Sequence, residues 1–308
     1  MKEFIMEISV IIVNWNTRDL LLNCIRSVYE TVRDISFEIW VVDNGSTDGS
    51  QETVTSGFPQ VKLIENTQNM GFAAASNRAL KEMTGRYALL LNSDAALTNG
   101  AAQTLLSFME STPTAGMACG QLLNPDGSRQ NSIANFPTLL TLISNETLLR
   151  ILFPDKFPSK LRNYPGPIPV ESGIGACLMI RKTAMDTVGL FDENYFFFFE
   201  ETDWAYRMWQ ANWGVYFVSS ARIIHAQGKS AGNSVASRIH FYRSRYIYLK
   251  KWHPKSYSLM VIILFTRLLI NACLCFLGSV LTLGLAPRLF HKTLIYFRLI
   301  AWHFKGRP

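Results

Sequence analysis

At 308 residues, 48% of them apolar, the chain is long enough to bury a large core and too hydrophobic to be disordered. Its net charge of +7 sits in one place: from Lys255 onward there are seven Lys/Arg and no Asp or Glu, leaving 23 basic against 23 acidic residues in the first 254. A neutral body with a basic tail excludes a uniformly basic nucleic-acid binder. The five cysteines (Cys24, Cys119, Cys177, Cys273, Cys275) are odd in number with no CxxC pair, which reads as reduced thiols of a cytosol-facing protein and not as a zinc site.

The opening MKEFIMEISVIIV has acidic residues where a signal peptide would need its apolar stretch, and reads as a first strand at 8–13. Residues 18–31 have helical spacing, with Leu21, Leu22, Ile25 and Val28 on one side. Strands at 37–42, 61–65 and 87–91 then alternate with helices at 51–56 and 72–83, the pattern of an α/β sheet that is largely parallel. In such sheets ligands gather at the carboxyl ends of the strands. Asn14 and Asn16 follow the first strand, Asp43 the second, Asn69 the third, and Asn92 and Asp94 the fourth, so four polar strand ends in succession point to one crevice. Further on, the sequence predicts a helix at 101–111, a turn at NPDG (124–127), an irregular Pro- and Leu-rich loop over 136–169, a strand at 176–181, a helix at 182–188 and a late strand at 215–218.

Four stretches carry chemistry. Asp43, in VVDNGSTDGS, can accept hydrogen bonds from a nucleobase N–H or ribose hydroxyls; Asp-Asn-Gly-Ser is also ordinary turn chemistry. In LLLNSDAAL, one carboxylate beside amide and water oxygens suits Mg²⁺ or Mn²⁺, hard cations that keep substrate phosphates as ligands; a helix N-cap would use the same residues. YFFFFEETDWAYR sets Glu200, Glu201 and Asp203 behind four phenylalanines, surroundings that raise a carboxyl pKa toward values useful for a general base. Helical spacing pairs Asp203 with Arg207 and leaves a glutamate for the cleft, though an acidic first turn also complements a helix dipole. His225, in ARIIHAQGKS, ends a strand of the same sheet, where an imidazole can be structural or a metal ligand.

SVIIVNWN, VVDNGSTDGS, NMGFAAASNRAL, LLLNSDA, GACLMIRK with VGLFDENYFFFFEETDWAYR, and IIHAQGKS occur in an order and spacing that resemble the inverting family 2 glycosyltransferases of GT-A fold, in their rhamnosyltransferase-like branch. The resemblance covers about 8–254. It implies an α/β fold with a mixed, mostly parallel sheet flanked by helices, a nucleotide-binding half over 1–100 and an acceptor and catalytic half over 101–254. It implies that Val13, Asn14, Asn16 and Asp43 hold the nucleotide, with Asn69, Gly71, Phe72 and Asn77 contacting nucleotide and sugar. The family's DxD motif falls on Asn92, Ser93 and Asp94, so Asp94 inherits the divalent metal, and Glu201 falls on the position of the base. Two departures stand out: Asn92 replaces the first Asp of DxD, and Glu201 replaces the commoner Asp. The loss of a charge at Asn92 gives His225 more weight as a metal ligand.

The tail, 255–308, reads as a hydrophobic and basic helical appendage. Residues 268–287 contain no charged side chain, about enough to cross a hydrocarbon core, and 289–308 mix aromatic with basic residues as at a headgroup interface. A transmembrane span, an in-plane hairpin with both ends cytosolic, and a hairpin buried at an oligomer interface all fit this composition. Arg243, Arg245, Lys250 and Lys251 before it, with Glu200, suit an acceptor carrying a lipid-linked diphosphate, or in the basic case a solvated helix face. Together these features imply an enzyme at the cytoplasmic face of the inner membrane. It would take a nucleotide-diphosphate sugar, dTDP-linked deoxysugar or UDP-hexose, and a polyprenyl-diphosphate saccharide acceptor; a non-catalytic, membrane-anchored scaffold is the alternative. A dinucleotide-binding dehydrogenase is excluded, because NWNTRD stands where GxGxxG belongs.

Overall fold

The computed structural model describes residues 6–159, 162–226, 234–282 and 285–306; Gln227 to Ser230 of the IIHAQGKS stretch lie outside them. In chain order the elements are β1 (Ile8–Asn14), α1 (Arg18–Thr31), β2 (Phe37–Asp43), α2 (Ser50–Gly57), β3 (Lys62–Glu65), α3 (Phe72–Glu82), β4 (Tyr87–Leu91), β5 (Ala95–Leu97), α4 (Ala101–Ser111), β6 (Ala115–Leu123) and β7 (Ile133–Ala134). There follow α5 (Leu139–Ile143), α6 (Glu146–Leu152), β8 (Ile168–Pro169), β9 (Ser172–Gly173), β10 (Cys177–Arg181), α7 (Lys182–Val188), α8 (Glu200–Gln210), β11 (Gly214–His225), α9 (Val235–Trp252), α10 (Tyr257–Leu281) and α11 (Pro287–Phe304). They form two compact units: Met1–Phe136, Thr147–Phe196 and Glu200–Ser230 in the first, Pro137–Glu146, Phe197–Phe199 and Ala231–Pro308 in the second. The boundary expected after residue 254 therefore falls inside the second unit.

The first unit is built on a nine-stranded sheet in the order β3-β2-β1-β4-β10-β6-β11-β5, with β8 on β11. β1 pairs in parallel with β2 and β4, as β2 does with the edge strand β3; the leucine side chains of β4 and most of the β-branched ones of β1 and β2 are buried as those of central parallel strands should be. On α1 the buried residues Leu21, Cys24, Ile25 and Val28 recur at the three-four spacing of a helix face laid on a sheet. β10 runs antiparallel to both β4 and β6, while β6 is parallel to β11. The carboxyl ends of β1, β2, β4, β6 and β11 thus share one edge with the start of β10. All five cysteines are free thiols, as expected.

Several elements differ from the sequence reading. The late strand is 12 residues long and not four, because an irregularity between Val218 and Arg222 absorbs polar Ser219 and Ser220 before pairing resumes to His225. β6 was not foreseen. Its composition, AGMACGQLL, is poor in β-formers because neighbours press against it: a Cβ on Gly120 would meet Ile223 Cδ1 at 2.4 Å and the Ala221 carbonyl at 2.6 Å. The stretch expected to be irregular, 136–169, contains α5, started by a reciprocal Thr138–Thr141 capping box, and α6.

In the second unit, α10 and α11 form an antiparallel hairpin. Ser279 meets Thr293 at 3.2 Å, Phe276 faces Phe297 and Phe265 faces Phe304, so sequence positions run in opposite directions along the contact. Tyr246 of α9 and His303 of α11 are hydrogen-bonded at 2.8 Å. The charge-free stretch 268–287 is accordingly not one helix: it includes the end of α10 and the start of α11. Among the described residues, the helix long and apolar enough to cross a membrane is Pro254–Leu281, and it carries Arg267 near its middle.

Gly71 begins α3 at φ +85°, and a Cβ there would fall 2.4 Å from the Phe196 carbonyl oxygen, which accepts the Phe72 N–H at 2.8 Å. Gly71→Ala must therefore open this junction. The expected cost is about 2 kcal/mol or more, read as a lowered urea midpoint; an unchanged midpoint would contradict the packing described here.

Candidate active site

The shared strand edge brings the polar residues into one hydrogen-bonded network. In register, Asn14 lies beside Asp43. Asn14 Nδ2 donates to Asp43 Oδ2 at 2.9 Å and to Ser46 Oγ at 3.1 Å, while Asp43 Oδ1 accepts the Ser46 N–H and Gln51 Nε2. The Asp43 carboxylate is thus oriented from three sides, with acceptor capacity left on Oδ2. Thr17 donates to Asn14 Oδ1 at 2.7 Å and so accepts from Ser93 Oγ at 2.8 Å, which ties the Asn92-Ser93-Asp94 loop to the Asn14–Asp43 pair. Asn16, at φ +52°, accepts the Thr47 N–H and donates its own N–H to Ser46 Oγ. Val13 is partly buried beside Val42 in the same ladder.

The candidates of the third strand end divide. Asn69 Oδ1 accepts from Asn44 Nδ2 and the Gly71 N–H, leaving its amide nitrogen uncommitted among the described residues. Phe72 packs edge-on against Phe191. Asn77 is buried, and both of its polar atoms are used: Nδ2 donates to Phe191 O and Glu193, and Oδ1 accepts the Phe191 N–H. It anchors the loop before α8 through these bonds.

Asp94 and His225 stand together. His225 ends β11 opposite Ala95 of β5, and the Ala226 N–H donates to the Asp94 carbonyl, so backbone pairing sets the two side chains side by side. His225 Nε2 lies 3.3 Å from Asp94 Oδ1, with the residues 7% and 5% exposed. Gln130 fixes the imidazole. Its Nε2 faces the His225 carbonyl, an obligate acceptor, so its Oε1, 2.9 Å from His225 Nδ1, must accept a proton from that nitrogen. Nε2 is then the nitrogen turned to Asp94. Gln130 is brought there by the NPDG turn, which folds the chain back at the end of β6 through Asn124–Ser128 and Leu123–Arg129 pairings.

This donor set fits a divalent cation. Two cis ligands of an octahedral ion at about 2.1 Å lie about 3.0 Å apart, close to the observed separation, and an outer partner for the second imidazole nitrogen is usual for a ligating histidine. Among the described residues no third His, Cys, Asp or Glu joins them, so the remaining positions would belong to water and substrate phosphates. The side-chain amide of Asn92 makes no hydrogen bond among the described residues and stands next to this pair.

Glu201 reaches the same edge from α8. A Cβ on Gly175 would lie 3.8 Å from Glu201 Cγ and 3.9 Å from its carboxyl carbon, and the next residue, Ala176, accepts the Asn92 N–H at 3.0 Å. Burial lifts the Glu201 carboxyl to about 7 against the opposing pull of backbone amides at the helix start. Glu200, 5% exposed, is raised well above the ordinary carboxyl range by burial and by the charge of Glu201, and its Oε2 has no hydrogen-bond partner among the described residues. Asp203 is structural as expected: Arg207 binds it at 2.9 Å and donates to the carbonyls of Val188 and Leu190. Three of the four phenylalanines before the glutamates, Phe197 to Phe199, belong to the second unit, where Phe198 meets Phe241 edge-on and Phe199 packs against it at a tilt.

Gln130, Thr17, Ser46, Gln51 and Gly175 were missed in the sequence. Only the NPDG turn hinted at one of them.

The model of the family described as Glycosyl transferase family 2 matches residues 9–189. The chain belongs to the family 2 glycosyltransferases. This glycosyltransferase is 30% identical over 238 residues to the N-acetylglucosaminyl-diphospho-decaprenol L-rhamnosyltransferase of Mycobacterium tuberculosis, covering 72% of this chain and 77% of that protein. It is 25% identical over 226 residues to the low-salt glycan biosynthesis hexosyltransferase Agl10 of Haloferax volcanii, covering 72% and 67%. Its fold, GT-A as expected, is shared with the mannosyltransferase PcManGT of Pyrobaculum calidifontis solved with GDP-Man and Mn²⁺, at a TM-score of 0.60 and 17% identity, over 97% of this chain and 86% of that one. GalNAc-T7, solved with UDP, GalNAc and Mn²⁺, matches at a TM-score of 0.59 and 17% identity, over 82% of this chain and about half (49%) of that one.

The buried glutamates imply a stability test. A carboxyl whose folded pKa is raised leaves the fold unpenalised below its unfolded value near 4.5 and weakens it as pH climbs through the folded value. Glu200→Gln of this glycosyltransferase should therefore melt a few degrees above wild type at pH 8, about 2–4 °C per kcal/mol of relieved burial, with the gain shrinking toward pH 4. A variant that melts lower at pH 8 would show that the Glu200 charge is compensated.

Proposed function

We propose that this glycosyltransferase moves a sugar, with inversion, from a nucleotide-diphosphate donor to a saccharide carried on a polyprenyl diphosphate, in cell-surface polysaccharide or O-antigen synthesis. The likeness to the mycobacterial enzyme favours a dTDP-linked deoxysugar, L-rhamnose first. The supporting observation is the convergence of Asp94, His225 and Glu201 on one strand edge through the Asn92–Ala176 hydrogen bond. Asn14, Asn16 and Asp43, with Asn69, would take the nucleoside. A Mg²⁺ or Mn²⁺ ion, held by Asp94 and His225, would supply positive charge to the departing diphosphate. Glu201 takes the proton of the acceptor hydroxyl while that oxygen bonds to the anomeric carbon from the face opposite the leaving group. The bond to the diphosphate oxygen breaks in the same displacement, so no enzyme nucleophile is needed. Glu200, kept protonated, prevents a second negative charge beside the base.

The exposed apolar faces of α10 and α11, including Ile262, Leu274, Leu277 and Phe297, support seating the hairpin in a membrane surface; the cytoplasmic face of the inner membrane is the side proposed, where a nucleotide-sugar donor is at hand. The hairpin form favours the in-plane arrangement over a single crossing.

Glu201→Gln should bind nucleotide as wild type does but lose transfer by at least about a hundredfold. Since the base works ionised, wild-type kcat should fall roughly tenfold per pH unit below about 7 and level off above it. A donor screen with polyprenyl-diphosphate saccharides and Mn²⁺ reads both; unchanged turnover in the variant would remove Glu201 as base.

A further inference from the structure

The second unit holds two adjoining cavities of opposite character. One, of about 390 Å³, is polar and is lined by Asn145, Tyr242, Arg245, Arg267 and Asn271, with Glu146 as its single carboxylate. The other, of about 440 Å³, is mainly apolar, with Ile143, Ile262 and Ile263 on its walls. They share Ser144, Asn145 and Arg267, so a polar chamber opens beside an apolar groove with an arginine at the junction.

The two arginines are unusual. Arg245 Nε is buried with no hydrogen-bond partner, and the guanidinium makes no hydrogen bond or ion pair among the described residues; it lies 5.9 Å over the Phe241 ring. Burial lowers its pKa from the ordinary arginine value. Arg267 interrupts the apolar α10 and gives one N–H to the Leu142 carbonyl, leaving the rest of its fork for another acceptor. A desolvated cation without a partner is costly, and two facing one carboxylate leave a net positive chamber. Arg243, by contrast, is exposed and lines neither cavity.

We infer that the paired cavities hold an isoprenoid diphosphate, its two phosphates against Arg245 and Arg267 and its first isoprene units along Ile143, Ile262 and Ile263. Two cations match two phosphates, and one narrow groove matches a single chain, whereas a glycerophospholipid brings one phosphate and two chains. This rests on the proposed function, for which it supplies the carrier end of the acceptor.

The test uses the full chain in detergent and calorimetric titration with farnesyl diphosphate, inorganic pyrophosphate and phosphatidylglycerol. Farnesyl diphosphate should bind, with pyrophosphate alone at least about tenfold weaker for want of the groove. Arg245→Gln and Arg267→Gln should each weaken farnesyl diphosphate about tenfold or more, the loss expected for a charge-assisted contact, and Arg267→Lys should recover part of it. Ile143→Asp, at an exposed position, should weaken farnesyl diphosphate but not pyrophosphate. Mn²⁺-dependent nucleotide binding should persist in every variant, reporting an intact fold. Unchanged affinity in both arginine variants, or displacement of farnesyl diphosphate by equimolar phosphatidylglycerol, would overturn the inference. If that happens while wild type still transfers sugar, the proposed function stands without this site. If wild type binds farnesyl diphosphate but no nucleotide sugar, the lipid site stands and the proposed function fails.

Discussion

Strand β10 runs against its neighbours, and where it begins the Ala176 carbonyl takes the Asn92 amide proton. That reversal places two distant parts of the chain at one edge. Had β10 been parallel to β4, its first residues would lie at the far end of the sheet, and Gly175 with them. Instead, the residue before Ala176 is the one against which Glu201 packs, and the residues after Asn92 carry Asp94 into β5 and against β11. Backbone hydrogen bonds therefore set the spacing between Asp94 and Glu201, the proposed cation ligand and base, although they lie more than a hundred positions apart in the sequence. Their relative placement needs no side-chain contact between them.

The edge concentrates buried polar groups, and each is handled differently. Asp43 is satisfied by three donors and is ready to receive a fourth, which suits recognition of a neutral ligand. Asp94 is held beside an imidazole whose free nitrogen is selected by Gln130, an arrangement that favours a cation. Glu201 and Glu200 have neither arrangement, and burial raises the proton affinity of both, Glu201 to about 7. Environment alone thus sets these four carboxyl groups apart, which is the basis of the binding, coordinating and proton-transfer roles proposed for them. The cost falls on stability at neutral pH, where burying a glutamate pair opposes folding.

Much of this was legible in the sequence. Short apolar runs ending in Asn or Asp identify β1, β2 and β4 and their shared edge, because a strand buried on both faces has a plain signature. The glutamates were legible from their aromatic flank, although Phe197, Phe198 and Phe199 proved to belong to the other unit. β6 was not legible: close contacts at Gly120 select small residues, which removes the pattern by which strands are recognised. Gln130 was hidden for another reason, since its work depends on a turn and a bulged strand 95 positions away meeting at one point. In the tail, composition located an uncharged stretch but not its fold, since Leu, Gly and Ala read alike in one long helix or a hairpin.

The claim that one edge holds both the cation and the base is tested most directly by crystals grown with Mn²⁺ and a non-hydrolysable nucleotide sugar, using anomalous scattering to locate the metal. The expected result is an anomalous peak bonded to Asp94 and to Nε2 of His225, with the anomeric carbon between it and the Glu201 carboxylate. A peak elsewhere on the protein, or a sugar whose reactive face points away from Glu201, would contradict it.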